Sequence, residues 1–421
     1  MRNPAGGKTI LIHFAGPDHR GILAEIMGTF AGMQATILDL GQAVVHETLA
    51  LGILCEVENV GLLPELRKEI RLRARALGLQ VRFTAVPHGR LQHWIHGLHA
   101  SSFIITVLGR SLSAGHLARV SAILAAHEMR ITRMDRLSGP LRPEAGQTGA
   151  CVEFTASGDP AREQAMRADF LAAAQELAID VACQREGIFR RNRRLFVFDM
   201  DSTLIQGEVI DELARMAGVG SEVAGITEAA MRGELNFDES FTRRVGLLKG
   251  LDAERALSLR RTIPLAEGAE RLIRILKRLG YKTAILSGGF TFFADDLQQR
   301  LGIDFVHANT LETADGVVTG RVVPPIMNGA RKAQMLAEIA AREGVLLEQV
   351  VAVGDGANDI LMLNLAGMGI AYRAKPLVRE RADQSISCLG LDGLLYLLGV
   401  RDRDLDMDME VEVDAADKPA K

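Results

Sequence analysis

The stretch Leu195-Phe-Val-Phe-Asp-Met-Asp-Ser-Thr203 decides the fold. Its four consecutive apolar residues predict a strand buried on both faces, as in a parallel sheet covered by helices on each side. Residues 283–286 and 350–353 have the same character, and polar residues follow each of the three runs. Because the carboxyl ends of parallel strands converge on the ligand crevice, we expect these polar residues to form one site.

The predicted site is rich in carboxylates. Asp199 and Asp201 follow the first run, while Asp355 and Asp359 lie in the Gly-rich segment after the third. Carboxylates packed this closely cannot all stay ionised without a cation. An all-oxygen site suits Mg²⁺, and the absence of Cys and His from these stretches gives no indication of zinc or copper.

The neighbouring residues are suited to phosphate. Ser287 offers a hydroxyl, and the glycines of Ser287-Gly-Gly289 let backbone N–H groups approach an anion. Lys332, at the start of a predicted helix, adds a positive charge. Taken singly, these residues fit ordinary turns, helix caps or a surface lysine. Their common order and strand context favour phosphoryl transfer, which depends on positioning and charge stabilisation.

Composition limits the class of protein. Of the 421 residues 48% are apolar and 24% charged, which is typical of a globular protein, and the length suggests about three domains. The net charge of −4 argues against a nucleic-acid or membrane-surface protein. The four cysteines form no C-x-x-C pair, and no apolar run approaches the ~18 residues of a membrane span. We therefore expect a cytoplasmic protein acting on a small molecule, with no nucleic-acid or membrane partner.

The first half of the chain contains two similar segments. Each shows the order strand, helix, strand, strand, helix, strand, which is the split βαβ plan. We predict α+β domains at 1–95 and 96–188 and an α/β domain at 189–400, whose helical insertion at about 207–265 forms a cap. The basic run at 190–194 is expected to be a solvated linker, and the acidic tail at 401–421 to be disordered.

The motifs of the third domain resemble those of the haloacid dehalogenase superfamily. The resemblance implies a Rossmann-like parallel sheet with a helical cap, a nucleophile at Asp199 and a general acid and base at Asp201. It also implies Mg²⁺ held by Asp199, the backbone carbonyl of Asp201 and Asp355. The supporting residues would be Thr203 and Asp359, and the phosphoryl group would be bound by Ser287, Gly288 and Lys332.

The cap resembles that of the phosphoserine phosphatase family. The resemblance rests on Glu208-Val-Ile-Asp-Glu212 and on residues 231–249. It implies O-phospho-L-serine as the substrate, with Glu208 binding the ammonium and Arg244 the carboxylate. Asn358 would contact the substrate, and Met231 and Phe237 would form an apolar lid. The alternatives are another small phosphate ester, such as phosphohomoserine, or a non-catalytic amino-acid sensor.

The N-terminal repeats resemble ACT domains, which are ferredoxin-like modules that often bind amino acids and pair into dimers. The turn Gly16-Pro-Asp-His-Arg-Gly21 resembles their effector turn, so Asp18, His19 and Gly21 are candidate contacts for an effector such as L-serine. The second repeat has Ser111 in place of Asp18 and departs from this pattern. A purely structural or dimerising role for both repeats remains the alternative, and a homodimer is expected.

Overall fold

The computed structural model describes residues 7–33, 35–97, 101–139 and 149–405. The chain divides into two compact units, Met1–Ala100 and Ser101–Lys421. In the described ranges, no helix combines the length and the apolar composition needed to cross a bilayer.

The first unit is an α+β domain with a four-stranded antiparallel sheet in the order β2-β3-β1-β4. Alternate residues of the central strands are buried against the two main helices, which gives the domain its own apolar core. The elements are β1 (Lys8–Pro17), α1 (Ile22–Gly32), β2 (Ala35–Val45), β3 (Thr48–Val57), α2 (Leu63–Ala76), β4 (Gln80–Ala85) and α3 (His88–Gly97).

The second unit begins with another α+β domain of the same plan, in which the strand order is β6-β7-β5-β8. The predicted split βαβ order is thus confirmed for both repeats. The elements are β5 (Ser101–Gly109), α4 (Ala114–Ala126), β6 (Arg130–Arg136), β7 (Ala150–Gly158), α5 (Glu163–Leu177) and β8 (Asp180–Arg185).

The α/β domain is built on a seven-stranded sheet in the order β12-β11-β10-β9-β13-β14-β15, parallel except for the β11–β12 pair. This confirms the predicted parallel sheet. Its strands are β9 (Leu195–Phe198), β10 (Lys282–Phe290), β11 (Phe305–Ala314), β12 (Val317–Val323), β13 (Val350–Gly354), β14 (Met368–Tyr372) and β15 (Gln384–Ile386).

Helices cover both faces of this sheet. The side chains of Phe196 and Phe198 pack on one face, and those of Leu195 and Val197 on the other, so β9 is fully buried as its apolar run predicts. The helices are α10 (Ala269–Arg278), α11 (Thr291–Leu301), α12 (Gly329–Arg342), α13 (Ile360–Leu365), α14 (Pro376–Arg381) and α15 (Leu394–Leu397).

The cap is a helical insertion between β9 and α10, as expected. Its entry and exit meet at an antiparallel bridge between Ile205 and Leu265, so the insertion leaves and returns at one place. The cap helices are α6 (Val209–Ala217), α7 (Gly220–Met231), α8 (Phe237–Gly246) and α9 (Ala253–Ser258).

The second α+β domain shares buried contacts with the α/β domain. The side-chain amide of Gln384 accepts a hydrogen bond from the backbone N–H of Cys183 at 2.8 Å and donates one to its carbonyl at 2.7 Å. The carboxylate of Asp180 accepts hydrogen bonds from the backbone N–H groups of Ser387 and Cys388. Because buried polar groups are costly when unpaired, these bonds fix how the two domains pack.

Two terminal segments of the α/β domain differ from expectation. The prediction of a solvated linker at 190–194 is wrong for Arg190, which is 6% exposed and forms an ion pair with Glu153. Residues 402–405, assigned above to the acidic tail, form a helical turn in which buried Asp402 accepts a hydrogen bond from the Tyr396 hydroxyl. Residues 406–421 lie outside the described part of the chain.

Candidate active site

Residues near the ends of four neighbouring strands of the large sheet, β10, β9, β13 and β14, line one cavity. Phe198 pairs in parallel with Ile285 on one side and with Val353 on the other, so the residues that follow these three lie side by side. The cavity has a volume of about 660 Å³ and is lined by both the sheet edge and the cap. Asp199 and Asp201, Gly288 and Asp355, predicted from three distant stretches, all line it.

A buried lysine joins two of the four carboxylates. The Lys332 Nζ lies 2.7 Å from Oδ1 of Asp199 and 2.7 Å from Oδ1 of Asp359. Burial alone would lower the pKa of Lys332, but the two carboxylates outweigh it and raise that pKa. The ammonium is therefore a fixed positive charge beneath the cavity floor.

Helix α12 places Lys332 at this position. Asn328 caps the helix by accepting a hydrogen bond from the backbone N–H of Arg331 at 3.0 Å. The Asn328 side-chain amide also donates to the carboxylate of Asp238 in the cap, at 3.1 Å. Lys332 thereby falls in the first turn of the helix, next to the strand ends.

Burial raises the pKa of Asp201 to about 8, and the negative charge of Glu208 adds to this effect. Oδ1 of Asp201 accepts a hydrogen bond at 2.9 Å from the backbone N–H of Val209, the first residue of α6. Its Oδ2 lies 3.5 Å from the Ser287 hydroxyl. Asp201 therefore retains a proton near neutral pH, at the point where the sheet edge meets the cap.

The remaining carboxylates form an acidic cluster. One oxygen each from Asp199, Asp355 and Asp359 lies within 4.8 Å of the others. Burial raises the pKa of Asp199 well above its ordinary value, with repulsion from Asp359 as the next cause, and burial raises that of Asp355 to about 7. Such a cluster of hard oxygen atoms with raised pKa values fits a divalent cation.

Asp359 and Thr203 form hydrogen bonds that keep this cluster in place. Both carboxylate oxygens of Asp359 are engaged, one by Lys332 and the other by the backbone N–H of Gly356 at 3.0 Å. The buried Thr203 hydroxyl donates to Oδ1 of Asp355 at 3.4 Å. Since its oxygens are already bonded, Asp359 supports the cluster rather than facing the cavity.

Glycine is required at one position of the Ser287-Gly-Gly289 segment, and little room is left for a side chain at the adjacent one. A Cβ at Gly289 would collide with Oδ2 of Asp201, and one at Gly288 would lie 3.1 Å from the Phe237 ring. The Gly289 N–H donates to the Ser287 hydroxyl at 2.8 Å, while the Asn309 amide donates to the Gly288 carbonyl at 2.8 Å. The turn is thus held rigidly beneath the cap.

The cap brings opposite charges to the other side of the cavity. Glu208 accepts a hydrogen bond from the Ser202 hydroxyl at 3.1 Å, and burial raises its pKa. Burial lowers the pKa of Arg244, whose Nε has no partner among the described residues. Met231, which is 66% exposed, and Phe237 also line the cavity, as does Asn358. All predicted site residues of the α/β domain therefore lie in or directly beneath this cavity.

Sequence reasoning missed several residues that line the cavity. Lys375 follows the end of β14, a strand that the search for apolar runs passed over. Asp211 lies three residues after Glu208 and Ser240 four residues before Arg244, so helical spacing could have found both.

The pKa of Asp201 generates a prediction for the metal-free protein. Because the folded protein keeps a proton that the unfolded chain releases, this group stabilises the fold at low pH, and that contribution is lost as the pH rises through about 8. Asp201→Asn should therefore raise the free energy of unfolding by on the order of 2 kcal/mol at pH 8 and change it little near pH 4. Denaturant titrations in a chelator would measure this, with the exposed Asp295→Asn as the control. Equal pH slopes in the two variants would contradict it.

Comparisons with known proteins agree with the fold. Residues 193–367 match the haloacid dehalogenase-like hydrolase family, and residues 8–84 match the ACT domain. A phosphoserine phosphatase of Streptomyces coelicolor is 40% identical over 98% of this chain and 97% of its own length. One of Mycobacterium tuberculosis is 40% identical over 93% of each chain.

A solved structure is also similar. The probable phosphoserine phosphatase of Vibrio cholerae is 33% identical and superposes with a TM-score of 0.56, covering 72% of this chain and 87% of its own. The similarity to the two curated relatives extends over nearly the whole chain, so it includes the N-terminal repeats as well as the site. The chain belongs to the phosphoserine phosphatase family of haloacid dehalogenase-like hydrolases, and in this chain an ACT domain precedes the hydrolase domain.

Proposed function

We propose that this protein hydrolyses O-phospho-L-serine to L-serine and phosphate, the last step of L-serine biosynthesis. The observation that carries the proposal is a single cavity holding a lysine-paired aspartate, Asp199, beside an aspartic acid whose pKa is about 8, Asp201. Opposite them, Glu208 and Arg244 match the two charges of an amino acid. The relatives described above support the choice of substrate.

Asp199 is the nucleophile. One of its carboxylate oxygens attacks phosphorus, and the bond from phosphorus to the serine oxygen breaks. A serine alkoxide is a poor leaving group, and Asp201 donates the proton that makes it serine. The resulting carboxylate of Asp201 then takes a proton from water, whose oxygen attacks phosphorus and breaks the bond to Asp199.

Mg²⁺ is the proposed cofactor. Asp199, the backbone carbonyl of Asp201 and Asp355 would hold it, since Asp359 is already bonded to Lys332 and the Gly356 N–H. When bound, the ion offsets the repulsion between a carboxylate and a phosphate dianion. Thr203 orients Asp355 through its hydroxyl.

Ser287, Gly288 and Lys332 bind the phosphoryl oxygens. An ammonium has three N–H donors, and Lys332 uses two of them on Asp199 and Asp359. The third is available to a phosphoryl oxygen brought against Asp199. Asn358, on the loop after β13, contacts the substrate from the other side of the cavity.

The cap supplies selectivity. Glu208 pairs with the substrate ammonium and Arg244 with its carboxylate, a pairing in which charged hydrogen bonds are strong. Met231 and Phe237 close over the substrate and exclude water. The partial exposure of Met231 is consistent with a side chain that moves on closure.

The first test is phosphate release from O-phospho-L-serine. The wild type with Mg²⁺ should be active, and chelation should abolish activity that Mg²⁺ restores. Asp199→Asn should lower kcat by about a thousandfold or more, because no carboxylate remains to attack. Asp295→Asn, an exposed change on α11, should have no effect. Full activity of Asp199→Asn would exclude the mechanism.

The second test separates selectivity from chemistry. Arg244→Ala should lower kcat/KM for O-phospho-L-serine by about 100-fold, because the substrate carboxylate loses a charged partner. Activity on p-nitrophenyl phosphate, which has no carboxylate, should change much less. Arg243→Ala, at the exposed adjacent position, should leave both substrates unaffected. An equal loss on both substrates in Arg244→Ala would show that Arg244 does not read the carboxylate.

We infer further that L-serine binds the effector turn of the first ACT domain and acts on a homodimer. Asp18, His19 and Gly21 are exposed there, and Gly21 has a φ of 90° that favours glycine. Titration with L-serine should change either activity or oligomer size, and Asp18→Ala should reduce that response. If L-serine changed neither the activity nor the oligomer size, the proposed effector site would be excluded.

A further inference from the structure

A second crevice lies between the second α+β domain and the α/β domain. It has a volume of about 340 Å³. The end of β8, the connecting segment before β9, Glu348 in the turn before β13 and the start of β14 enclose it, so both domains contribute to it. We call it the linker crevice and define it by Gln184, Arg190, Arg193, Glu348 and Met368.

Three side chains of the linker crevice each carry a buried polar atom with no hydrogen-bond partner within the described part of the chain. These atoms are Oε1 of Gln184, Nε of Arg190 and Nε of Arg193. Gln184 is 5% exposed and Arg190 6% exposed. Buried polar atoms are nearly always paired, so three unpaired ones around one cavity indicate a missing partner.

The rest of each side chain is held in place. Arg190 forms an ion pair with Glu153 through Nη2, and Arg193 donates from Nη1 to the Glu348 carbonyl. The Gln184 amide donates to the carbonyl of Leu397 at 3.1 Å. Among the described residues, the buried Nε–H groups of the two arginines and the Gln184 oxygen are left without a hydrogen-bond partner.

Charges of both signs line the crevice. Among the described residues, Arg193 has no ion pair; burial lowers its pKa, and the nearby carboxylate of Asp383 opposes this shift. The carboxylate of Glu163 is already paired with Arg167 and Arg185, and that of Glu186 with Arg191. An oxyanion of the ligand would add a second negative charge beside the desolvated guanidinium of Arg193.

We propose that the linker crevice binds a small oxyanion that also carries a hydrogen-bond donor. The Nε–H groups of Arg190 and Arg193 donate to the oxyanion, and Oε1 of Gln184 accepts from the donor of the ligand. An α-amino acid has this chemistry in its carboxylate and ammonium, and hydrogen phosphate has it in its oxygens and hydroxyl. Because the site joins two domains, its occupant stabilises their contact.

The test counts bound ligand by equilibrium dialysis of the full chain with radiolabelled L-serine and, separately, with radiolabelled phosphate. Arg193→Lys keeps the positive charge but removes Nε–H, and it should lower the affinity of one site per chain by about tenfold or more. The exposed neighbour Arg191→Lys is the matched control and should bind like the wild type. Loss of serine binding identifies an amino-acid site, and loss of phosphate binding identifies a phosphate site.

A second variant distinguishes the loss of the binding site from misfolding of the protein. Gln184→Met removes the acceptor at similar size, and it should lose the same bound molecule, with melting curves confirming that each variant is folded. Wild-type binding of both ligands in Arg193→Lys and Gln184→Met would overturn the proposal, as would the absence of any site beyond the active cavity and the effector turn. Neither readout depends on catalytic activity, so failure of the proposed function would be seen separately.

Discussion

The buried ion pairs of Lys332 are the interaction on which the site depends. Without this ammonium, Asp199 and Asp359 would face each other, and Asp355, in a dry environment with no fixed positive charge. Removing one member of a buried charged cluster typically costs about 3–5 kcal/mol, because the charge left behind is uncompensated. The lysine therefore makes it possible to bury the carboxylate of Asp199, the proposed nucleophile, and its own position follows from the capped start of α12.

Parallel pairing explains why residues so far apart in the chain reach this lysine together. The strands β10, β9 and β13 run in parallel, and their register places the residues that follow Ile285, Phe198 and Val353 side by side. Because β9 and β13 are buried along their whole length, the polar residues that follow them lie at the sheet edge that lines the cavity. The second α+β domain packs near β15, on the far side of β14 from Asp355, and its bonds to Gln384 leave the strand ends of the site open.

Sequence reasoning was strongest where local pattern and chemistry coincide. Leu195–Phe198 was predicted as a strand because a fully buried strand needs an unbroken apolar run, and Asp199 followed from its end. The same criterion passed over β11, whose partly exposed residues are mixed in polarity, and β15, which has only three residues. Lys375 was missed with β14. The burial of Arg190 could not be predicted, because it depends on Glu153 in another domain and not on neighbouring residues.

The cap shows why the two charges proposed to select the substrate remain unpaired when no substrate is bound. Glu208 and Arg244 influence each other's pKa, yet no ion pair joins them within the described residues, and Nε of Arg244 is buried without a partner. Had they paired directly, a zwitterionic substrate would have to break that bond before binding. Holding the two charges apart leaves each desolvated and without an ion-pair partner among the described residues, so a ligand that carries a matching ammonium and carboxylate gains both interactions at once. A phosphate ester that lacks either group leaves one buried charge uncompensated, which is a stronger basis for discrimination than the shape of the cavity.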